Sequence, residues 1–358
     1  MRRCRPDRFQ LVVATLLAAT VADAIFTSRG WHNSDFVLFA AAGRTMLSGA
    51  WAHTFHDPVI QAAPLELLTA SVLYRIAGWS PAALATATEL VLGGALIATT
   101  RSIVGRRVLP LAFVVTAALV LGVLPDAYVT GHVAEPVTGL LWLLAARDAR
   151  AGRIGRAGLL VGASAGFELW GILGITALAL APSLRRAALG AALACATGGL
   201  MLAPFLLAGD FHMFALHWSV AGGPIHLLVG TGYPFSWPLR VLQGATTIGV
   251  AAGLARLVRT SPASIFVVPA ATMFVRLLLD PLGLFYYWDP VIELALLGAA
   301  TAFARRDALR AWVQAAAAPA RAGAPAPVAG GASRTASSMG REGIEPSTLG
   351  LRVPCSTS

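Results

Sequence analysis

Apolar residues in this chain gather into long runs instead of spacing themselves as stripes. One run extends from about Phe9 to Ser28, and others lie near 81–100, 108–124, 136–147, 187–208, 236–256, 262–280 and 287–304. Several of them reach roughly 17–25 residues, enough for a helix to cross a hydrocarbon core of about 30 Å. Only helices and closed barrels satisfy the backbone in lipid, and the alternating ten-residue pattern of a barrel is missing. The pattern therefore predicts an all-α, polytopic transmembrane protein with eight full crossings.

Two further segments read differently. Residues 64–78 are short and carry Glu66 and Arg75, which predicts a helix at the surface or half-way into the membrane. Residues 157–181 are apolar with arginines at both ends, so they should enter and return as a hairpin of two short helices meeting near Glu168. The expected total is 8–10 helices.

Arginines orient this set. Arg2, Arg3, Arg5 and Arg8 precede the first run, which by the positive-inside rule makes the N-terminus cytoplasmic and the first loop, 29–64, external. Small residues around Ala22-Asp23-Ala24 leave a signal peptide as the competing reading, and either way Asp35 is external. Arg101, Arg106, Arg107, the arginines of 147–156, Arg185, Arg186, Arg256, Arg259 and those of 305–310 should share the cytoplasmic side. Polar and aromatic residues then concentrate on the other side, in 29–63, 125–135, 209–235 and 280–289. Beyond Arg310 the chain turns to Ala, Pro, Gly and Ser, so 1–310 is expected to be the membrane domain and 311–358 a disordered cytoplasmic tail. Its last segment, Met339–Ser358 (MGREGIEPSTLGLRVPCSTS), resembles the product of a reading frame that runs through a transfer-RNA gene.

Composition agrees and narrows the chemistry. Hydrophobic residues make up 57%, charged residues 12%, and the mean hydropathy is +0.71, outside the range of soluble domains. The formal charge of +10 comes entirely from arginines that sort by topology, so it does not predict nucleic-acid binding. Cys4, Cys195 and Cys355 lack the spacing of a metal site or a disulfide framework. No Gly-rich nucleotide loop follows a strand, which argues against a nucleotide-sugar site.

Candidate chemistry begins at Ser34-Asp35-Phe36, followed by Ala42-Gly43, Leu47-Ser48-Gly49, Trp51 and Pro64-Leu65. An acid in the first loop after the first span is positioned to act at the membrane surface. It equally suits an N-cap of a helix starting at Phe36. This order of residues resembles the first loop of polytopic GT-C class glycosyltransferases, in particular the polyprenyl-phosphate-mannose-dependent branch common in actinobacteria. The resemblance covers the layout of about residues 9–304. It extends to Gly158–Pro182 as a re-entrant hairpin, and to Asp280-Pro281 through Tyr286-Tyr287-Trp288-Asp289-Pro290 as the aromatic entry to the last helix.

The resemblance implies a hexosyltransferase that moves a sugar, mannose in that branch, from a polyprenyl-phosphate donor to a glycan or glycolipid acceptor at the outer face of the cell membrane. Asp35 takes the role of catalytic base, and the implied partners are membrane lipids, the lipid-linked donor and the acceptor. Where the family often carries Lys-Pro, this chain has Glu168-Leu169, an acid in place of a cation beside the donor. Stabilising a leaving phosphate suits arginine, and Arg29, Arg44 and Arg276 are the candidates. Arg276 stands near the end of an apolar helix, where an unpaired charge is costly, although Asp280 four residues on could pair with it. Tyr287 and Trp288 join the substrate-binding candidates, or form an interfacial aromatic belt.

His53, His56 and Asp57 sit close enough to suggest metal ligands, but without a helix or a fourth ligand they read as a polar interfacial loop, so no metal is expected there, and any use of a divalent metal by the reaction is left open. Asp126, His132 and Glu135 read first as ordinary loop polarity, with a second acidic cluster, like the one some members of the family it resembles use for metal or donor binding, as the alternative. Glu89 should face a helix partner or a cavity. No bound cofactor is expected, since the sugar donor is a substrate. The competing functions are a lipid or small-molecule flippase, which should show paired repeats and does not, and an inactive transferase-like scaffold.

Overall fold

The computed structural model describes residues 7–30, 35–78 and 80–322, and side chains as far as residue 306. Arg2, Arg3, Arg5, Ser34 and the segment 339–358 lie outside the described residues. In chain order the helices are α1 (Arg8–Thr27), α2 (Asp35–Met46), α3 (Pro64–Ala77), α4 (Pro81–Val104), α5 (Val108–Val120), α6 (Val123–Thr130) and α7 (Ala134–Arg150). They continue as α8 (Ile154–Phe167), α9 (Leu184–Ala208), α10 (His226–Val229), α11 (Trp237–Val258), α12 (Ser264–Leu278) and α13 (Asp289–Ala322). Among the described residues strand pairing is confined to isolated bridges, such as Ser219 with Pro234.

Among the described residues, five stretches are long and apolar enough to cross a membrane: Arg8–Gly30, Pro81–Val104, Val108–Thr130, Leu184–Ala208 and Trp237–Val258. The all-α multi-pass class is therefore present. The other expected crossings correspond to α7, which carries Glu135, Arg147, Asp148 and Arg150, to α12, which is shorter, and to α13. The expected run at 108–124 divides into α5 and α6 at Gly122, whose φ of 88° is open to glycine and strained for other residues. As a result Asp126 sits in a helix and not in the expected loop. Helix α13 continues past Arg310 to Ala322, into the segment composition assigns to a tail, because its alanines are the strongest helix formers.

The expected hairpin is present. Helix α8 ends at Phe167, Glu168 is extended (φ −140°, ψ 137°), and Leu169–Leu180 returns as a 3-10 helix. Small residues let α8 lie close on α9: a Cβ at Gly158 would meet the Gly190 carbonyl, and one at Gly162 would meet Thr197. In lipid, where burying apolar surface drives nothing, such close backbone approach is what helix pairs gain from.

The arginines converge at one end of the bundle. Arg106 pairs with Asp7 at the start of α1, Arg107 donates to the Ala304 carbonyl, and Arg147 donates to Ser102 Oγ at 2.7 Å. Arg150 donates to the Ser261 carbonyl and, at 3.0 Å, to Ser264 Oγ. Ends that the charge pattern assigns to one side are thus neighbours in space.

Candidate functional site

At another level of the fold, the start of α2 meets the short link between α6 and α7. Asp35 is the first residue of α2, and Phe36 behind it is fully buried. Gly131 in the link has φ 86°, and a Cβ there would run into the backbone nitrogen of Phe36. This close approach delivers His132 to Asp35. His132 Nε2 lies 3.1 Å from Asp35 Oδ2 and 3.1 Å from the Tyr286 hydroxyl. The imidazole stacks on the Tyr286 ring (centroids 4.6 Å, interplanar angle 18°) and takes the edge of Phe39 at 5.3 Å.

The hairpin supplies a second acid to this imidazole. Trp142 of α7, fully buried, donates from its indole to the Gly171 carbonyl at 2.9 Å and to Ser164 Oγ at 3.0 Å, locking the hairpin to α7. The Ala63 amide donates to the Phe167 carbonyl at 3.1 Å, tying the start of α3 to the same turn. Glu168 Oε1 then lies 3.9 Å from His132 Nδ1. Glu66 of α3 is fully buried against the backbone N–H groups of Val133 and Ala134, where it faces the start of α7. Glu135, also buried, completes an acidic ring around one imidazole.

Burial alone would lower the basicity of His132. The hydrogen bond to Asp35, with the nearby negative charges of Glu168 and Glu135, outweighs it and raises the imidazole to about 10. His132 is thus an imidazolium at neutral pH. Burial, reinforced by the negative charge of Glu168, pushes the Glu66 carboxyl up to about 8. The Tyr287 hydroxyl is raised above its ordinary value, mainly by burial.

Arg276 of α12 supplies the other cation. It is only 5% exposed, and its guanidinium carbon sits 4.2 Å from the Trp170 ring centroid and 4.7 Å from that of Tyr287. Arg276 Nη2 pairs with Asp280 at 3.3 Å, so the i,i+4 partner expected from sequence is real and accompanies the aromatic cage. Arg276 Nη1 and both carboxylate oxygens of Glu135 are buried without a hydrogen-bond partner. Polar groups left in this state cost about 1–3 kcal/mol each, and here they are grouped in one place.

Of the residues expected from sequence, Asp35, Glu168, Arg276 and Tyr287 are brought together around His132 and Glu135. Arg44 is not among them, since its guanidinium lies 6.0 Å over the Tyr74 ring, in a cleft shared with Arg75. Trp288 packs on Phe274 at 5.9 Å, and Arg29 is exposed. His132 and Glu135, which read as loop polarity, are at the centre, whereas Asp126 faces Asp289. Glu66, which in the sequence argues only for a surface helix, is buried in the cluster, as is Tyr286, and Trp170 is partly buried beside Arg276. The signal for His132 and Glu135 was available in their order, a histidine and an acid directly ahead of an apolar helix. Glu89 turns inward as expected and faces Asp23.

A separate open cleft of about 600 Å³ runs beside α2, lined by Leu38, Ala41, Ala42 and Thr45, by Ile60, and by polar residues of two loops. On its rim Asp210 receives His53, His56 (2.9 Å) and His212 (3.4 Å), all through Nδ1. Asp57 instead accepts from the Val59 amide at 2.9 Å and shapes its own turn.

No protein-family profile and no curated protein matches the chain. Among solved structures it resembles ArnT from Cupriavidus metallidurans in the apo state, with a TM-score of 0.51 and 19% identity, over 88% of this chain and 66% of that one. The chain thus shares the fold of ArnT and spans somewhat under two thirds of its length.

Proposed function

We propose that this protein is a membrane glycosyltransferase that moves a sugar from a polyprenyl-phosphate-linked donor to an acceptor hydroxyl. The observation that carries the reading is the pairing of the half-exposed Asp35 carboxylate with an imidazolium that is only 12% exposed, beside a caged arginine that has an unpartnered N–H. The likeness in fold to ArnT, a polytopic membrane protein, is in keeping with it. So is the first-loop position of the acid.

In this reading the acceptor hydroxyl loses its proton to Asp35. A positioned carboxylate base is worth roughly 10²–10⁴-fold. The Asp35 side chain is 57% exposed, so an acceptor can reach it, while His132 holds Oδ2 and fixes the carboxylate's direction. Negative charge leaves with the phosphate, and Arg276, always charged and with Nη1 unspent, is suited to receive it. Glu168, which replaces the family's cation, has His132 as a counter-charge, so the turn still presents a balanced pair. The sugar is read as a hexose such as mannose, and the reaction face as the outer face of the cell membrane, which the arginine distribution favours.

The test is transfer of radiolabelled sugar from polyprenyl-phosphate-mannose by membranes with matched amounts of wild type or Asp35→Asn. Loss of about 100-fold or more in the variant is expected. Equal transfer by both would reject Asp35 as the base, and absence of transfer by wild type, with this and other polyprenyl-phosphate sugars, would reject the reading itself.

A further inference from the structure

We infer that His56, Asp210 and His212 form a divalent-cation site suited to zinc, with His53 as the residue that positions Asp210. The inference does not depend on the transferase reading. His56 and Asp210 are 154 residues apart in sequence, yet Nδ1 and Oδ1 are 2.9 Å apart, and one ligand atom from each of His56, Asp210 and His212 lies within 4.8 Å of the others. Ligands on a tetrahedral zinc with bonds of about 2.0–2.1 Å sit about 3.3 Å from one another. The 2.9 and 3.4 Å separations at Asp210 Oδ1 therefore need only small shifts to receive an ion.

Two neutral imidazoles and one carboxylate match a borderline cation. Three protein ligands leave one position for water or an anionic group in the adjoining cleft. His53 approaches the other oxygen, Oδ2, and so orients the carboxylate from outside, a role that metal sites use routinely.

The two loops are already joined by contacts that do not involve these side chains. The His212 amide donates to the Phe55 carbonyl at 2.8 Å, and Gln61 Nε2 donates to the Met213 carbonyl at 2.7 Å. Phe55 is fully buried against Phe205 and Phe211, at 5.0 and 5.1 Å. The ligands are thus presented on a fixed frame, at a solvent-accessible rim, next to the helix that carries Asp35. Bound metal would pin the loop after α2 to the loop after α9.

The test uses full-length protein in detergent, purified without a histidine tag, stripped with a chelator and titrated with zinc against a chromophoric competitor. One zinc per chain is expected, with a rise in melting temperature. His56→Ala/His212→Ala should weaken binding by 100-fold or more, and His53→Ala by about 10–100-fold. His226→Ala, which removes an imidazole that contacts the Gly223 carbonyl at 2.6 Å and is not among the clustered ligands, should bind as wild type does. A stripped wild type that takes up no stoichiometric zinc and gains no thermal stability from it would overturn the inference. So would a double variant that binds as tightly as wild type. Should the double variant fail to fold, the wild-type stoichiometry and melting shift still decide the matter, with Asp210→Asn as the milder variant.

Discussion

His132 collects three kinds of contact at once: a stacked tyrosine, a hydrogen-bonded aspartate and a second carboxylate on its far nitrogen. Its raised basicity has a consequence for stability. A group that binds its proton more tightly when folded contributes fully below its unfolded value, here 6.5, and the contribution is lost as pH climbs towards about 10. Glu66 acts in the same direction, since its folded carboxyl keeps a proton from 4.5 to about 8 and burial penalises the ion above that. Melting temperature in detergent should therefore fall between pH 6.5 and 10, by a loss on the order of a few kcal/mol. His132→Gln should lower stability at pH 6.5 and flatten the upper part of the profile. A wild-type profile that stays level across this range would show that the imidazole is not held charged. At the same scale, Arg276→Lys keeps the charge but removes the flat guanidinium that lies over Trp170 and Tyr287. We expect it to lose thermal stability by about 1–2 kcal/mol and to raise the KM for a lipid-linked donor more than it lowers kcat.

Elements meet at this site through close backbone approach. Gly131 is the clearest case, because a side chain there is opposed both by its φ of 86° and by the backbone of Phe36. Gly131→Ala should destabilise the protein by more than 1 kcal/mol and displace Asp35 from His132. Gly94, in the middle of α4 with open space where a Cβ would go, is the matched control, and Gly94→Ala should leave melting unchanged or slightly raised. Equal effects of the two substitutions would mean that the approach of the link to α2 is not tight. The hairpin depends in a similar way on the Trp142 indole, whose two hydrogen bonds hold the turn that presents Glu168.

For the molecule as a whole, the convergence of arginines at one end of the bundle is a statement about sidedness. With the native cysteines replaced by serine, Thr231→Cys in the long loop after α9 should react with a membrane-impermeant maleimide in intact cells, and Arg259→Cys at the end of α11 should not. The opposite pattern would invert the orientation and put Asp35 on the cytoplasmic side. The two sites lie at comparable risk of misreading from sequence, because each is assembled from segments more than ninety residues apart: Asp35 with His132 by 97 residues, and His56 with Asp210 by 154.

The amino-acid sequence by itself determined the class, since long apolar runs leave helices in lipid as the solution, and it determined which helix ends share a side, since arginine is costly to bury in lipid wherever it lacks a partner. It also made the hairpin turn at Glu168, the acid at the head of α2 and the Arg276–Asp280 pair legible, because each is a local pattern of a few residues. The companions of Asp35 were decided by tertiary structure alone. Apolar runs record how deep a residue sits and say little about which way it faces, and in a bilayer that facing is set by the fit of small residues such as Gly158 and Gly131 against distant backbone. Hence His132 and Glu66 look like loop and surface polarity, and Tyr286 like part of an aromatic entry to the last helix, until α2, α3, α7 and the hairpin are packed together. Asp210 likewise becomes the fourth member of a histidine cluster only when the loop after α9 folds back over the loop after α2.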